Sequence, residues 1–228
     1  MSNNTTSTFK LSSDFWKYWT GQTISNLGSS ITLFALPLLV YKLTGSALNL
    51  GISTAVNFLP YLLFGLVIGA WIDRVNRKRM MIFTDIARAT IIASIPLLAA
   101  LGLLTIWWIY IVGFIHSTLM ICFDSGEFAA IPSLVDPDDL VTANGRIQAS
   151  YSGASIIGPL LAGLLVTVLP ISGLMLFDAL SFLISAFSLA LIRTRFNMNI
   201  GEKQAPTSIR LDVIEGLIPN PFKYYPQE

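Results

Sequence analysis

An all-α bundle of six membrane-crossing helices is the fold this sequence predicts, and three observations predict it. Charged residues are only 12% of the 228, hydrophobic residues are 54%, and mean hydropathy is +0.67. Ordinary soluble domains carry about 25% charged residues. Six apolar segments, at 20–41, 47–71, 80–102, 106–130, 146–168 and 171–192, reach the roughly 20 residues that a bilayer crossing requires. The cations gather at the ends of these segments rather than along one face, which points to a lipid bilayer as partner and not to nucleic acid.

Residues 2–7, Ser2-Asn3-Asn4-Thr5-Thr6-Ser7, are polar. The apolar run that follows is too long for a signal-peptide core and has no cleavage site, so the first helix is expected to be retained. The expected division is a cytoplasmic N-terminal segment at 1–19, the bundle at 20–192 and a cytoplasmic tail at 193–228. Short connections at 42–46, 102–105 and 169–173 make neighbouring helices antiparallel. The longer one, at 136–140, offers Asp136 or Asp138 as a cap for the fifth helix.

Orientation follows from the cations. With the N-terminus inside, Lys10, Lys17, Arg74, Arg77, Lys78, Arg79, Arg146, Arg193 and Arg195 fall on the inner side and Lys42 alone on the outer. Excess Lys and Arg marks cytoplasmic loops, so both termini are expected in the cytoplasm of a cell that carries this multi-pass chain in its cell membrane. In the tail, 200–206 reads as a polar linker and 209–217 as a short amphipathic helix. Pro219, Pro221 and Pro226 then discourage regular structure.

Within the spans, polar residues single themselves out. Gln22 and Asn26 are four apart and share a helix face with Ser25, Ser29 and Thr32 nearby; such a stripe either lines an aqueous path or hydrogen-bonds to neighbouring helices. Gly65 with Gly69, and Gly158 with Ala162 and Gly163, suit close helix packing. Asp85 and Arg88 are three apart near the inner start of the third helix, where a shallow structural ion pair is expected. His116, Met120, Phe123 and Glu127 form one stripe on the fourth helix, with Asp124 beside it. Asp124 and Glu127 near its inner end are candidate partners for Arg74 or Arg77. Asp178 lies about two turns into the sixth helix. Intramembrane ionisable groups default to functional candidates, and either His116 or Asp178 is a group able to carry a proton, against the alternative that each is a packed, hydrogen-bonded residue.

Enzymatic readings fare poorly. There is one histidine and one cysteine, Cys122, which reads as a small core residue. No second metal-ligand set and no phosphate-cradling loop is present, so neither metal nor cofactor is expected.

The loop after the second helix carries Gly69-x-x-x-Asp73-Arg74-x-Asn76-Arg77-Lys78. It resembles the G-x-x-x-D-R-x-G-R-[RK] signature of the major facilitator superfamily, with Asn76 in place of a glycine; Asn tolerates a left-handed turn. Gly158-Pro159-x-x-Ala162-Gly163 is similar to the G-P-x-x-G-G element of the drug-antiporter branches. The stretches 19–28 and 36–46 look like the opening of the macrolide-efflux and enterobactin-exporter-like group. The resemblance covers about residues 9–217 and implies the N-terminal half of a two-half fold. It further implies secondary active export of a drug-like or siderophore-like small molecule by alternating access, with protons as coupling ion. In the family the loop latches the inner gate, which assigns Asp73 and Arg74 to gating. Arg77, Lys78 and Arg79 would then fix topology or touch anionic lipid. Gln22, Asn26, Asn57 and His116 are the candidate pathway residues, with Asp124, Glu127 and Asp178 as charged candidates. Two explanations fit a chain that supplies one half: a truncated or frameshifted, non-transporting fragment, or a half-transporter that pairs with a second copy or a second half.

Overall fold

The computed structural model describes residues 11–72 and 74–197. Six long helices carry the chain: α1 (Ser13–Thr44), α2 (Ala47–Ile72), α3 (Arg77–Ala100), α4 (Ile106–Ala130), α5 (Leu140–Leu165) and α6 (Met175–Leu191). Single 3-10 turns sit at Ile131–Ser133, Pro137–Asp139 and Ile171–Leu174, and no strand occurs among the described residues. The expected helix at 209–217, the prolines beyond it, Lys10 and Asp73 lie outside the described residues.

Local chemistry sets the helix limits. The Ser12 hydroxyl accepts from Phe15 N at 3.0 Å and donates to Leu134 O at 2.7 Å, so α1 begins at Ser13 rather than near residue 20. It ends at Gly45, whose φ of 61° is in the left-handed region and whose N–H reaches Tyr41 O at 2.8 Å; glycine adopts that conformation without steric cost. Thr105 caps α4. Two expectations are corrected here. Asn76 is extended (φ −71°, ψ 102°) and is the N-cap of α3, accepting from Arg79 N at 3.0 Å, so it makes no left-handed turn. Asp136 and Asp138 lie in or before a 3-10 turn, and the Asp136 side chain makes no capping bond; α5 starts at Leu140 without a side-chain cap.

Helix α1 is central. It packs on α6, α5 and α2, while α3 packs on α6 and α4, and α4 returns to α2. The apolar core divides in two. One cluster joins Leu11, Phe15 and Tyr18 to Ile72, Met81, Ala130, Ile147, Leu189 and Phe196, at the end of the bundle that carries the basic loop; half-buried Cys122 packs against it. The other joins Ile31, Leu36 and Leu39 to Ile92, Ile95, Ile109, Val112, Leu174 and Met175 at the opposite end. Outward faces are apolar as well, with Leu33, Leu62, Phe128, Val141 and Leu164 exposed. Water would penalise such a surface and lipid does not.

Among the described residues, five helical segments are long and apolar enough to cross a membrane, against the six expected. The exception is α5, whose first half carries Asn144, Arg146, Gln148, Ser150 and Ser152. It is held to α1 instead: the Arg146 guanidinium lies 4.9 Å from the Trp16 ring centroid, and Trp19 Nε1 donates to Arg146 O at 3.1 Å.

Small residues are used selectively. A Cβ on Gly28 would stand 2.9 Å from Asp178 Cα, and one on Gly158 would meet the backbone of Ser30 at 3.1 Å. These two glycines let α6 and α5 approach α1. Gly65, Gly69 and Gly163 have open space where a Cβ would stand, so the expected close packing does not occur at them. Gly28→Ala should therefore destabilise the bundle by about 1–3 kcal/mol through overpacking, whereas Gly163→Ala should hold or gain stability. Detergent unfolding followed by tryptophan fluorescence distinguishes them, and equal midpoints for the two variants would refute the seam assignment.

Candidate polar layer and basic loop

Between the two apolar clusters lies a polar layer, and its centre is an ion pair. Asp85 and Arg88, one turn apart on α3, pair in the interior, where they are 0% and 5% exposed. The guanidinium lies between two rings, 4.4 Å from the centroids of both Phe123 on α4 and Phe182 on α6. The other Asp85 oxygen accepts from Ser185 Oγ at 2.6 Å, and Ser185 Oγ accepts from Gln22 Nε2 at 2.7 Å. A continuous path of polar contacts thus runs from α1 through α6 to α3. The expectation of a shallow pair is corrected, because Arg88 stands midway along the 24-residue α3. Charge at that depth is costly in hydrocarbon. A paired carboxylate together with two aromatic faces, each worth up to about 2 kcal/mol when desolvated, offsets the cost.

The other candidates spread around this centre. His116 packs on Phe182, with ring centroids 5.8 Å apart, and its Nε2 is buried without a hydrogen-bond partner among the described residues. Asn57 on α2 fills the space beside Gly113 on α4, and Asn26 is half-buried on α1. Asp178 is fully buried. Its Oδ1 accepts from Ser29 at 3.1 Å and from Ser181 at 3.4 Å, while Oδ2 has no hydrogen-bond partner among the described residues. At Gln22 and Ser29, then, the polar stripe of α1 hydrogen-bonds to α6.

Glu127 has a role the sequence did not suggest. One of its oxygens accepts from Tyr18 on α1 and the other from Tyr151 on α5 at 2.9 Å. The carboxylate ties α4 to two helices, instead of pairing with Arg74 or Arg77 as expected; Asp124, one turn earlier, is half-buried. Tyr151, Phe182 and Ser185 were missed because each sits in an apolar or small-residue run, and Tyr18 because it precedes the expected start of the first span. The available signal was that a buried carboxylate needs donors.

In the basic loop, Arg77 Nη1 donates to Ala129 O at 3.2 Å and to Phe196 O at 3.3 Å. Lys78 Nζ donates to Ala190 O at 3.2 Å and Ile192 O at 2.5 Å. Ala129 and Ala190 lie at the C-terminal ends of α4 and α6, where carbonyls lack intrahelical partners and the helix dipole favours cations. These two side chains therefore turn inward onto the bundle, while Arg74 and Arg79 are exposed. Pro159 follows the Gly158 contact with α1.

Arg88→Met should strand the Asp85 carboxylate and cost about 3–5 kcal/mol, whereas Arg88→Met combined with Asp85→Leu should recover most of the loss. Folded yield and detergent unfolding midpoints test this. A double variant as damaged as the single one would mean that charge pairing is not what the layer supplies.

The chain matches the Major Facilitator Superfamily model over residues 18–220. It is 31% identical over 179 residues to Macrolide efflux protein A of Streptococcus pyogenes, covering 78% of this chain and 44% of that protein. Macrolide efflux protein A of Enterococcus faecalis is 32% identical over 149 residues, 65% of this chain and 46% of the relative. Multidrug efflux pump Tap of Mycolicibacterium fortuitum is 25% identical over 196 residues, 83% of this chain and 48% of that protein. The chain spans about half the length of the curated relatives it matches. The matched residues take in both motifs, the polar layer and most of every helix, and on that coverage the chain, an all-α multi-pass membrane protein, belongs to the Major Facilitator Superfamily.

Proposed function

We propose that this chain forms the N-terminal six-helix half of an efflux transporter, exporting a drug-like or siderophore-like small molecule by alternating access with proton antiport. One observation carries the reading: a chain of this family holds a buried polar layer, centred on the Asp85–Arg88 pair, between two apolar clusters and beside the family's loop motif. The names of its relatives, macrolide and multidrug efflux proteins, support the substrate class. Gln22, Asn26, Asn57, His116, Asp124, Glu127 and Asp178 are the pathway candidates, and His116 and Asp178 the candidate proton carriers. Asp73 and Arg74 act at the gate by charge pairing that one conformation makes and the other breaks. The cation distribution supports placement in the cell membrane with both termini cytoplasmic.

Alternating access needs a second bundle to rock against. It comes from a longer polypeptide, a separate chain or a second copy. A second reading, an inert or partner-binding membrane fragment, is favoured by one observation, that this sequence spans about half of its relatives.

Reconstitution into proteoliposomes decides between them. With a second half supplied, gradient-dependent efflux of a macrolide or cationic dye is expected; insertion without flux under every pairing would sink the transporter reading. In the two-half transporter Asp73→Asn should slow efflux while leaving insertion intact, and unchanged rates would argue against the gate.

A further inference from the structure

The residues just after α6 do not leave the bundle directly. Asp14 Oδ2, at the start of α1, accepts from Arg193 N at 2.9 Å, Thr194 N at 3.0 Å and Thr194 Oγ1 at 2.8 Å. Phe196 is 1% exposed within the apolar cluster at the basic end, and its carbonyl accepts from Arg77 Nη1 and from Ser133 Oγ, both at 3.3 Å. One residue on, the Asn197 carboxamide reaches the basic loop with both of its ends. Nδ2 donates to Val75 O at 2.8 Å and Oδ1 accepts from Arg77 N at 3.0 Å.

Arg77 N is the first amide of α3, one of the helix-start donors without an intrahelical acceptor. Asn76 serves the Arg79 amide, so two asparagines far apart in the sequence share the cap. The carboxamide donates to Val75 O through its nitrogen and accepts from Arg77 N through its oxygen at once. A carboxylate keeps the acceptor alone, and an alanine keeps neither.

We propose that Asn197 is a positioning residue for the α2–α3 loop, setting the backbone of residues 75–77 from the segment that follows α6. The loop is then built from three places in the sequence: Asn76 within it, Asn197 after α6, and Asp14, which holds the intervening segment in register. Displacing the post-α6 segment frees Val75 O and Arg77 N together, and the start of α3 frays without any change in the polar layer. The proposal stands apart from the transport reading, because its readout needs no substrate and no second half.

The test is amide hydrogen exchange on the full chain in lipid nanodiscs, comparing wild type with Asn197→Ala, Asn197→Asp and Asp14→Ala. Loss of one such bond changes a local opening equilibrium by about three- to tenfold. Peptides covering 74–80 should exchange faster by that factor in Asn197→Ala and in Asp14→Ala. In Asn197→Asp the Arg77 amide should stay protected. Peptides from the middles of α3, α4 and α6 should exchange as in wild type, and trypsin should cut after Arg74 sooner in the Asn197→Ala chain. Unchanged exchange at 74–80 in Asn197→Ala would overturn the proposal. So would equal acceleration throughout the helices, since that result reports general destabilisation instead of loop positioning.

Discussion

The Arg88 guanidinium sets the terms on which this bundle folds. A full positive charge at the middle of a membrane helix is opposed by about 2.5–3.5 kcal/mol even on lenient insertion scales. The protein surrounds it with the three kinds of group that reduce that cost: a carboxylate one turn away, an aromatic ring on each side, and a hydroxyl and an amide that complete the carboxylate. These groups come from α1, α3, α4 and α6. Four helices must therefore reach their final positions before the charge is accommodated, and the interaction selects one arrangement among the many that apolar helices in lipid would otherwise accept. Apolar packing is non-directional, so the register has to come from groups such as these.

The basic end of the bundle follows a second constraint. Helices that end near one another expose carbonyls without intrahelical partners, and α4 and α6 both end beside the start of α3. Arg77 and Lys78 supply the missing donors, Glu127 gathers two tyrosine hydroxyls, and Asp14 collects the amides after α6. Two residues of the family's loop motif thus have an architectural role in this half of the fold. A gate built on the same loop would be rigid on the side facing its own bundle.

The opposite asymmetry appears on the helix surfaces. Gly28 and Gly158 are pressed against neighbouring helices, whereas Gly65, Gly69 and Gly163 face open space. The open faces of α2 are rich in Leu and Phe, with Phe58, Leu62 and Leu66 exposed, and lipid or another helix could cover such faces. An apolar surface of this kind is compatible with either, since van der Waals packing rather than water exclusion decides helix association in a bilayer.

The helices and the motifs were legible in the sequence, because hydropathy over some 20 residues and the spacing of Gly, Asp and Arg are local properties. Pairing of Asp85 with Arg88 was legible for the same reason, being a relation across one helical turn. Only the tertiary structure decided that this pair is central, that Ser185 and Gln22 complete it across 163 residues, and that Glu127 meets Tyr18 and Tyr151. It also decided that Asn76 caps a helix, where a family glycine would suggest a left-handed turn, and that Asn197 lies across the same loop. A polar side chain in a membrane helix announces that it needs a partner. Which neighbour provides one depends on the lateral order of the helices, and that order is set by contacts between faces that one-dimensional patterning does not record.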